Sequence, residues 1–180
     1  MGTVIVFDPE GNYGRVREIR EAGVMPVAGL RYVASVTGPY KLVKVMNFDG
    51  LDGLPDRLDL VQRDDGSDGN AVVIGLSKIR RSQYKRHTAF VLIETRVADP
   101  STLLDEIADA IGSDEVDVVA GEVDIIAVVV DDDEENLSRK IYAIRRIDGV
   151  KRTQTLRVMD YVSTSENAPS DHKVDPAEES

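Results

Sequence analysis

Two stretches in the second half of the chain, residues 89–93 and 125–130, are apolar at every position. Their length and their β-branched and aromatic side chains are typical of strands. A strand with one face in water would alternate apolar and polar residues, so both faces of these strands are expected to be buried. We therefore expect helices to cover one face of their sheet and a second sheet to cover the other.

The residues around these two strands predict a β-α-β-β-α-β unit. Asp99-Pro100 supplies a helix N-cap followed by proline at the first helical position, and Gly112 ends that helix. A second helix is predicted to open in the acidic run 131–135 and to end at Gly149. Two more strands, 116–120 and 152–159, complete the order of the ferredoxin-like fold.

The first half repeats this order less regularly. Residues 36–45 align with 119–128, and the alignment places Gly38 on Gly121. Lys44 interrupts one of the first-half strands, which predicts a face more exposed to water. The fold class is thus α+β, with two tandem ferredoxin-like units whose sheets pair as in a dimeric α/β barrel. That pairing can occur within one chain or between two chains.

Composition and repeat boundaries predict four segments. Residues 1–78 form a degenerate ferredoxin-like repeat, 79–87 a basic linker and 88–161 the second unit. Residues 162–180 form an acidic tail with little to bury, and we expect it to be disordered.

Charge and cysteine content exclude several function classes. The chain has 180 residues, a net charge of −11 and no cysteine, which excludes a disulfide scaffold, a thiolate zinc site and a cysteine nucleophile. The acidic balance disfavours direct binding to nucleic acid. No apolar run approaches the ~20 residues that span a bilayer, and the first residues lack the pattern of a signal peptide. We expect a cytoplasmic protein without membrane contact.

Two motifs in the second unit carry a family resemblance. One is Gly121-Glu122-Val123-Asp124 at the start of a strand, and the other is Gly149-Val150 followed, after two residues, by Thr153-Gln154-Thr155. In this order and at this separation they make residues 88–161 resemble the ligand-binding (RAM) domain of the Lrp/AsnC regulators. Three features depart from the family: Val123 stands where tyrosine is usual, the degenerate repeat takes the place of the helix-turn-helix module, and that repeat has Lys41 where the second unit has Asp124.

The resemblance implies a non-enzymatic, oligomer-forming regulatory module that senses an amino acid or a related metabolite. It would form homo-oligomers, or hetero-oligomers with a full-length family member, and act on transcription through that DNA-binding partner. It implies no cofactor and no metal. The ligand-binding residues carried over from the family are Gly121, Glu122, Val123, Asp124, Thr153 and Thr155.

Structural interpretations of the same residues stay open. Gly121 and Asp124 can form a simple strand turn, and threonines are ordinary strand formers. The acidic run 131–135 is expected to be a solvated helix start rather than a metal site. The alternative function is a monooxygenase- or isomerase-like enzyme with a cavity between the two sheets, where Tyr32, Tyr40 or Asp124 would act. A polar group inside that cavity would favour the enzyme, and an apolar interior with polar loops would favour the sensor.

Overall fold

The computed structural model describes residues 2–48, 54–63, 71–75 and 87–164, which fold into a mixed α+β structure with a curled antiparallel sheet. The strands are β1 (Gly2–Asp8), β2 (Leu30–Val36), β3 (Leu42–Phe48), β4 (Ala71–Gly75), β5 (His87–Thr95), β6 (Val116–Val118), β7 (Ile125–Asp131) and β8 (Val150–Ser163). The helices are α1 (Arg15–Ala22), α2 (Leu54–Arg63), α3 (Leu104–Ile111) and α4 (Glu134–Arg145). None of these helices is long and apolar enough to cross a membrane.

Local signals set the ends of the second-half helices. The Asp99 side chain accepts a hydrogen bond from the amide of Ser101 and caps a 3-10 turn that leads into α3. Gly112 ends α3 with a φ of +65°. Asp133, inside the predicted acidic helix start, caps α4 by accepting from the amide of Asn136. α4 stops at Arg145, short of the predicted end at Gly149, which lies in the turn before β8.

The strand order is β4-β1-β3-β2-β8-β5-β7-β6, and every neighbouring pair is antiparallel. β8 joins the two halves of the sheet, because residues 150–157 pair with β5 and residues 158–163 pair with β2. β8 therefore continues beyond the predicted end at residue 159.

The predicted tail boundary at residue 162 is wrong. Val162 pairs with Val33 of β2 and Ser163 pairs with Tyr32, and both β8 side chains are buried. Backbone pairing to a distant strand holds these residues, so local composition does not mark the end of the fold. Residues 165–180 of the predicted tail lie outside the described residues, as do residues 79–86 of the predicted linker.

Three clusters of buried side chains form the core. Two lie on the helix side of the sheet, one beneath α1 and α2 and the other beneath α3 and α4. The third, which we call the inter-sheet core, combines both halves of one chain. It consists of Ile5, Phe7, Tyr32, Ala34, Val36, Val43, Val45, Phe90, Leu92, Val119, Ile126, Val128 and Leu156. The first half thus covers the second face of β5 and β7, and the two sheet surfaces pack within a single chain.

The more exposed face predicted around Lys44 is also wrong. The side chain of Lys44 is 0 % exposed and points to the helix side, where its ammonium donates to the carbonyl of Val61 in α2 at 3.0 Å. The carbonyl of Val61 and the carboxylate of Asp8, 3.3 Å away, partner the buried ammonium.

Candidate ligand-binding site

Residues 121–124 form the turn between β6 and β7, which we call the second-half turn. Gly121 and Glu122 are exposed, whereas Val123 and Asp124 are half-buried. The side chain of Val123 packs against the inter-sheet core, so the turn lies at the rim of that core.

Asp124 fastens this turn to the end of β5. Its Oδ2 accepts hydrogen bonds from the amide of Thr95 at 2.7 Å and from the Thr95 hydroxyl at 3.1 Å. Its amide donates to the carbonyl of Ile93, and its carbonyl accepts from the amide of Val119. A carboxylate oxygen with two donors has a fixed orientation, so Asp124 organises the strand ends around the turn.

The two threonines lie on the face of β8 that α4 covers. Thr153 Oγ1 accepts a hydrogen bond from Nε of Arg145 in α4 at 2.9 Å. Thr155 shares that face because side chains alternate along a strand. Its hydroxyl oxygen is buried and has no hydrogen-bond partner among the described residues.

The structure does not bring the threonine hydroxyls and the Asp124 carboxylate together directly. Thr153 pairs with Ile93 of β5, and Ile93 pairs with Ile125 of β7. The two groups of predicted site residues are therefore separated by two strand spacings, about 10 Å. A ligand that contacts both groups needs a further element to close the gap.

A second turn, from the first half of the chain, meets β8 on its inter-sheet face. Residues 37–40, which we call the first-half turn, follow β2 and lie against β8. The amide of Thr37 donates to the carbonyl of Arg157 at 2.9 Å, and the amide of Arg157 donates to Thr37 Oγ1 at 3.2 Å. Gly38 has a φ of +107°, and a Cβ atom there would lie 3.0 Å from Cδ2 of Leu156.

Tyr40, the last residue of the first-half turn, lies at the rim of the inter-sheet core. Its ring packs against the inter-sheet core, 5.4 Å from the ring of Phe7. Burial raises the pKa of the Tyr40 phenol, and the nearby Glu122 carboxylate raises it further. Sequence reasoning considered Tyr40 only for the enzyme alternative. The sequence feature that could have pointed to Tyr40 is the alignment of Gly38 with Gly121, because it makes the first-half turn equivalent to the second-half turn.

The inter-sheet space is filled by packed side chains. Tyr32 is 1 % exposed, and its ring lies 6.1 Å from Phe90 and 5.6 Å from Tyr161. Phe7 and Phe90 meet edge to face at 6.4 Å. Of the residues weighed for an enzyme, Tyr32 is inside this core, Tyr40 is at its rim and Asp124 is bound to Thr95.

The acidic run 131–135 is engaged in structural contacts. Asp131 forms an ion pair with Lys140 at 3.0 Å, and its other oxygen accepts from the amide of Asp133. These interactions, led by that with Lys140, lower the pKa of Asp131 to about 2. His87, placed in the linker by the sequence, begins β5, and its Nδ1 lies 3.0 Å from Oε2 of Glu134.

Comparison with known proteins identifies the second half. Residues 88–168 match the family model of the Lrp/AsnC ligand binding domain, which confirms the family resemblance. A solved structure of a heme-binding protein from Thermus thermophilus has 14 % sequence identity and a TM-score of 0.48, over 88 % of this chain and 92 % of that chain. The comparison with curated proteins gives no match.

Proposed function

We propose that this protein, whose residues 88–168 match the Lrp/AsnC ligand-binding domain, is a non-enzymatic regulatory module that senses an amino acid or a related metabolite. The site consists of Gly121, Glu122, Val123, Asp124, Thr153 and Thr155. The observation that carries the proposal is that the family match coincides with an ordered, partly exposed turn at the rim of an apolar core.

Packing between the sheets supports a sensor over the alternative enzyme. The inter-sheet core of the described residues consists of apolar and aromatic side chains, and the Tyr32 phenol is a polar group buried within it. Residues 121–124 of the site lie on the turn at the rim of this core, and Thr153 and Thr155 lie on the α4 face of β8. An enzyme of the dimeric α/β-barrel class would need an open cavity in that space, with a few polar groups directed into it.

We also infer that the two halves are tandem copies of one ferredoxin-like unit. Their strand orders, β4-β1-β3-β2 and β8-β5-β7-β6, are the same when each half is numbered from its own first strand. The equivalent turns at Gly38 and Gly121 support the same inference. In this arrangement one chain supplies both sheets of a dimeric α/β barrel.

The function is tested by a thermal-shift screen against the twenty protein amino acids and their α-keto acids. A ligand of the native state stabilises it by RT ln(1 + [L]/Kd), about 2.7 kcal/mol at a hundredfold excess over Kd. We expect one amino acid to raise the melting temperature by several degrees. Asp124→Asn, which weakens the hold on Thr95, should reduce that shift, and the exposed control Asp105→Asn should keep it. If no compound in the panel shifts the melting temperature, the proposal that the protein senses an amino acid or a related metabolite is wrong.

In the cytoplasm, the protein would then regulate transcription by assembling into oligomers. We propose homo-oligomers, or hetero-oligomers with a full-length Lrp/AsnC regulator that provides the DNA-binding module. Light scattering should give a multiple of the 19.8 kDa chain mass. A monomer that stays monomeric when mixed with such a regulator would contradict this part of the proposal.

A further inference from the structure

We infer that the outward face of α4 is the contact surface for a second copy of this chain, and that two copies meet there with their α4 helices antiparallel. This inference rests on the assembly part of the proposed function, because it names the surface that joins the homo-oligomer. It does not depend on the identity of the effector.

The inter-sheet face of the protein is already occupied. The inter-sheet core combines side chains from both halves of one chain, so a second chain cannot pair its sheet there. The net charge of −11 makes two copies repel each other except where opposite charges meet. A surface that joins two copies must therefore lie elsewhere and must carry charges of both signs.

Four exposed residues form such a surface, which we call the α4 stripe. They are Glu135, Arg139, Tyr142 and Arg146. Their spacing of four, three and four residues keeps them on one helical face, directed away from the core. The side chains of Glu135 and Arg139 are 79 % and 68 % exposed, and Tyr142 is 60 % exposed. Aromatic and arginine side chains are frequent anchors of protein–protein interfaces, and the stripe presents both.

Contacts within the stripe leave one of its cations without an acidic partner. Nη2 of Arg139 lies 3.1 Å from Oε1 of Glu135. The guanidinium carbon of Arg146 lies 5.8 Å from the centre of the Tyr142 ring, and Arg146 forms no ion pair with any described residue. Its charge is therefore available to a carboxylate of a second copy.

The order of the four residues is self-complementary in an antiparallel pair of helices. A two-fold axis between residues 140 and 141 places Glu135 opposite the second copy's Arg146, and Arg139 opposite the second copy's Tyr142. Each ion pair and each cation–π contact then occurs twice, as in any isologous interface. Parallel helices would instead place like charges opposite each other, so the charge pattern selects the antiparallel arrangement.

The surface beside the stripe can accommodate another helix. A groove of about 480 Å³ runs between α3 and α4. It is lined by Glu106, Arg139, Tyr142, Ala143, Arg146 and Ile147. The small side chain of Ala143 allows a second helix to approach closely. One helical face for each copy makes a small interface, so we expect dimers that dissociate on dilution.

The test measures association by sedimentation equilibrium at low ionic strength, because salt screens exposed ion pairs. We expect the unmodified protein to reach twice the 19.8 kDa chain mass as its concentration rises. Arg146→Glu places two carboxylates opposite each other at both ends of the stripe, and should weaken dimerisation about tenfold or more. Glu135→Arg places two cations opposite each other and should weaken it by a similar factor.

The two variants complement each other when they are mixed. A dimer of Glu135→Arg with Arg146→Glu again has opposite charges at both ends of the stripe. We expect the mixture to associate at least as strongly as the unmodified protein, whereas mixing would not repair a loss of structure. The matched control is Arg17→Glu on α1, where an exposed Arg17 forms an ion pair of the same spacing with Glu21 at 2.9 Å. It should leave dimerisation unchanged.

These outcomes separate the inference from the proposal on which it rests. Undiminished association of Arg146→Glu, or a mixture of the two variants that stays monomeric, would overturn the inference and leave homo-oligomers of another geometry in place. An unmodified protein that is monomeric at every concentration would overturn both the inference and the proposed homo-oligomer. Binding of an effector in the thermal-shift screen would still support the sensor in that case.

Discussion

The ammonium of Lys44 lies 3.3 Å from Oδ2 of Asp8, and both side chains are almost completely buried beneath α2. The pair joins the neighbouring strands β1 and β3, while the bond from Lys44 to the carbonyl of Val61 connects both strands to the helix. Such a pair favours one arrangement of helix and sheet, because any arrangement that separates the two charges leaves an unpaired charge buried in the core.

Lys44→Met should destabilise the protein strongly, because it leaves the Asp8 carboxylate buried without this cation. We expect the free energy of unfolding to fall by about 3–5 kcal/mol in urea titrations. The control Lys151→Met removes an exposed ion pair with Glu94 and should cost less than about 1 kcal/mol. Equal effects of the two substitutions would mean that the Lys44 pair is not buried.

Gly38→Ala tests the close contact between the first-half turn and β8. Alanine is strained at a φ of +107°, and its methyl group would press on Leu156. Gly23→Ala is a matched control, since Gly23 also has a positive φ but open space around its Cα atom. In thermal unfolding we expect Gly23→Ala to lower the free energy of unfolding by about 1–2 kcal/mol and Gly38→Ala to lower it by more. A smaller loss at Gly38 would contradict the contact.

Thr155→Val should separate stability from binding. The Thr155 hydroxyl is buried without a partner among the described residues, so a valine of the same shape should leave the stability unchanged or raise it by up to about 1 kcal/mol. Thr153→Val should lower the free energy of unfolding by about 1 kcal/mol, because it removes the hydrogen bond that Arg145 donates to Thr153. If the effector reaches the Thr155 hydroxyl, Thr155→Val should weaken binding while the protein stays stable. A clear loss of stability in Thr155→Val would reveal a structural partner.

Asp131 should make the fold sensitive to acid. Its pKa of about 2 in the folded protein lies below the ordinary value of 3.8, so the carboxylate stabilises the fold above pH 4. This contribution disappears as the pH falls from about 4 to about 2. Asp131→Asn should flatten the dependence of unfolding free energy on pH in that window, and Lys140→Met should raise the pKa of Asp131 toward its ordinary value. An Asp131 carboxyl that titrates near pH 4 in the unmodified protein would refute this account.

Residues 160–164 should be necessary for the first half to fold. A chain that ends at Met159 lacks Val162, which is buried on the helix side, and leaves most of the edge of β2 unpaired. We expect it to lose at least about 2 kcal/mol of stability, or to aggregate, in comparison with a chain that ends at Thr164. Equal stability of the two chains in urea would argue against the pairing of β8 with β2.

The sequence predicted features that depend on neighbouring residues. The caps at Asp99 and Gly112 act within a few positions, and the predicted element order agrees with the structure. The burial of Lys44 was missed because its partners, Asp8 and Val61, are distant in sequence. The end of β8 was missed for the same reason, since β2 determines it.

The candidate site was predictable in part. The motif located the second-half turn, because its glycine and its acidic residues are visible in one stretch of sequence. The sequence did not reveal that Asp124 is bound to Thr95 or that Tyr40 packs against the inter-sheet core, because these relationships depend on how strands and turns meet in space. Residue types alone indicate which groups can bind a ligand, and the fold determines which of them are still available.

The long strand β8 also has a consequence for synthesis on the ribosome. Thr37 and Arg157 are 120 residues apart in sequence, and the residues that pair with β2 follow Arg157. β2 is therefore made early, and it has an exposed edge until β8 has been translated. The first half depends on β8, so translation products that stop before β8 would present an unpaired apolar edge of β2 to chaperones and proteases.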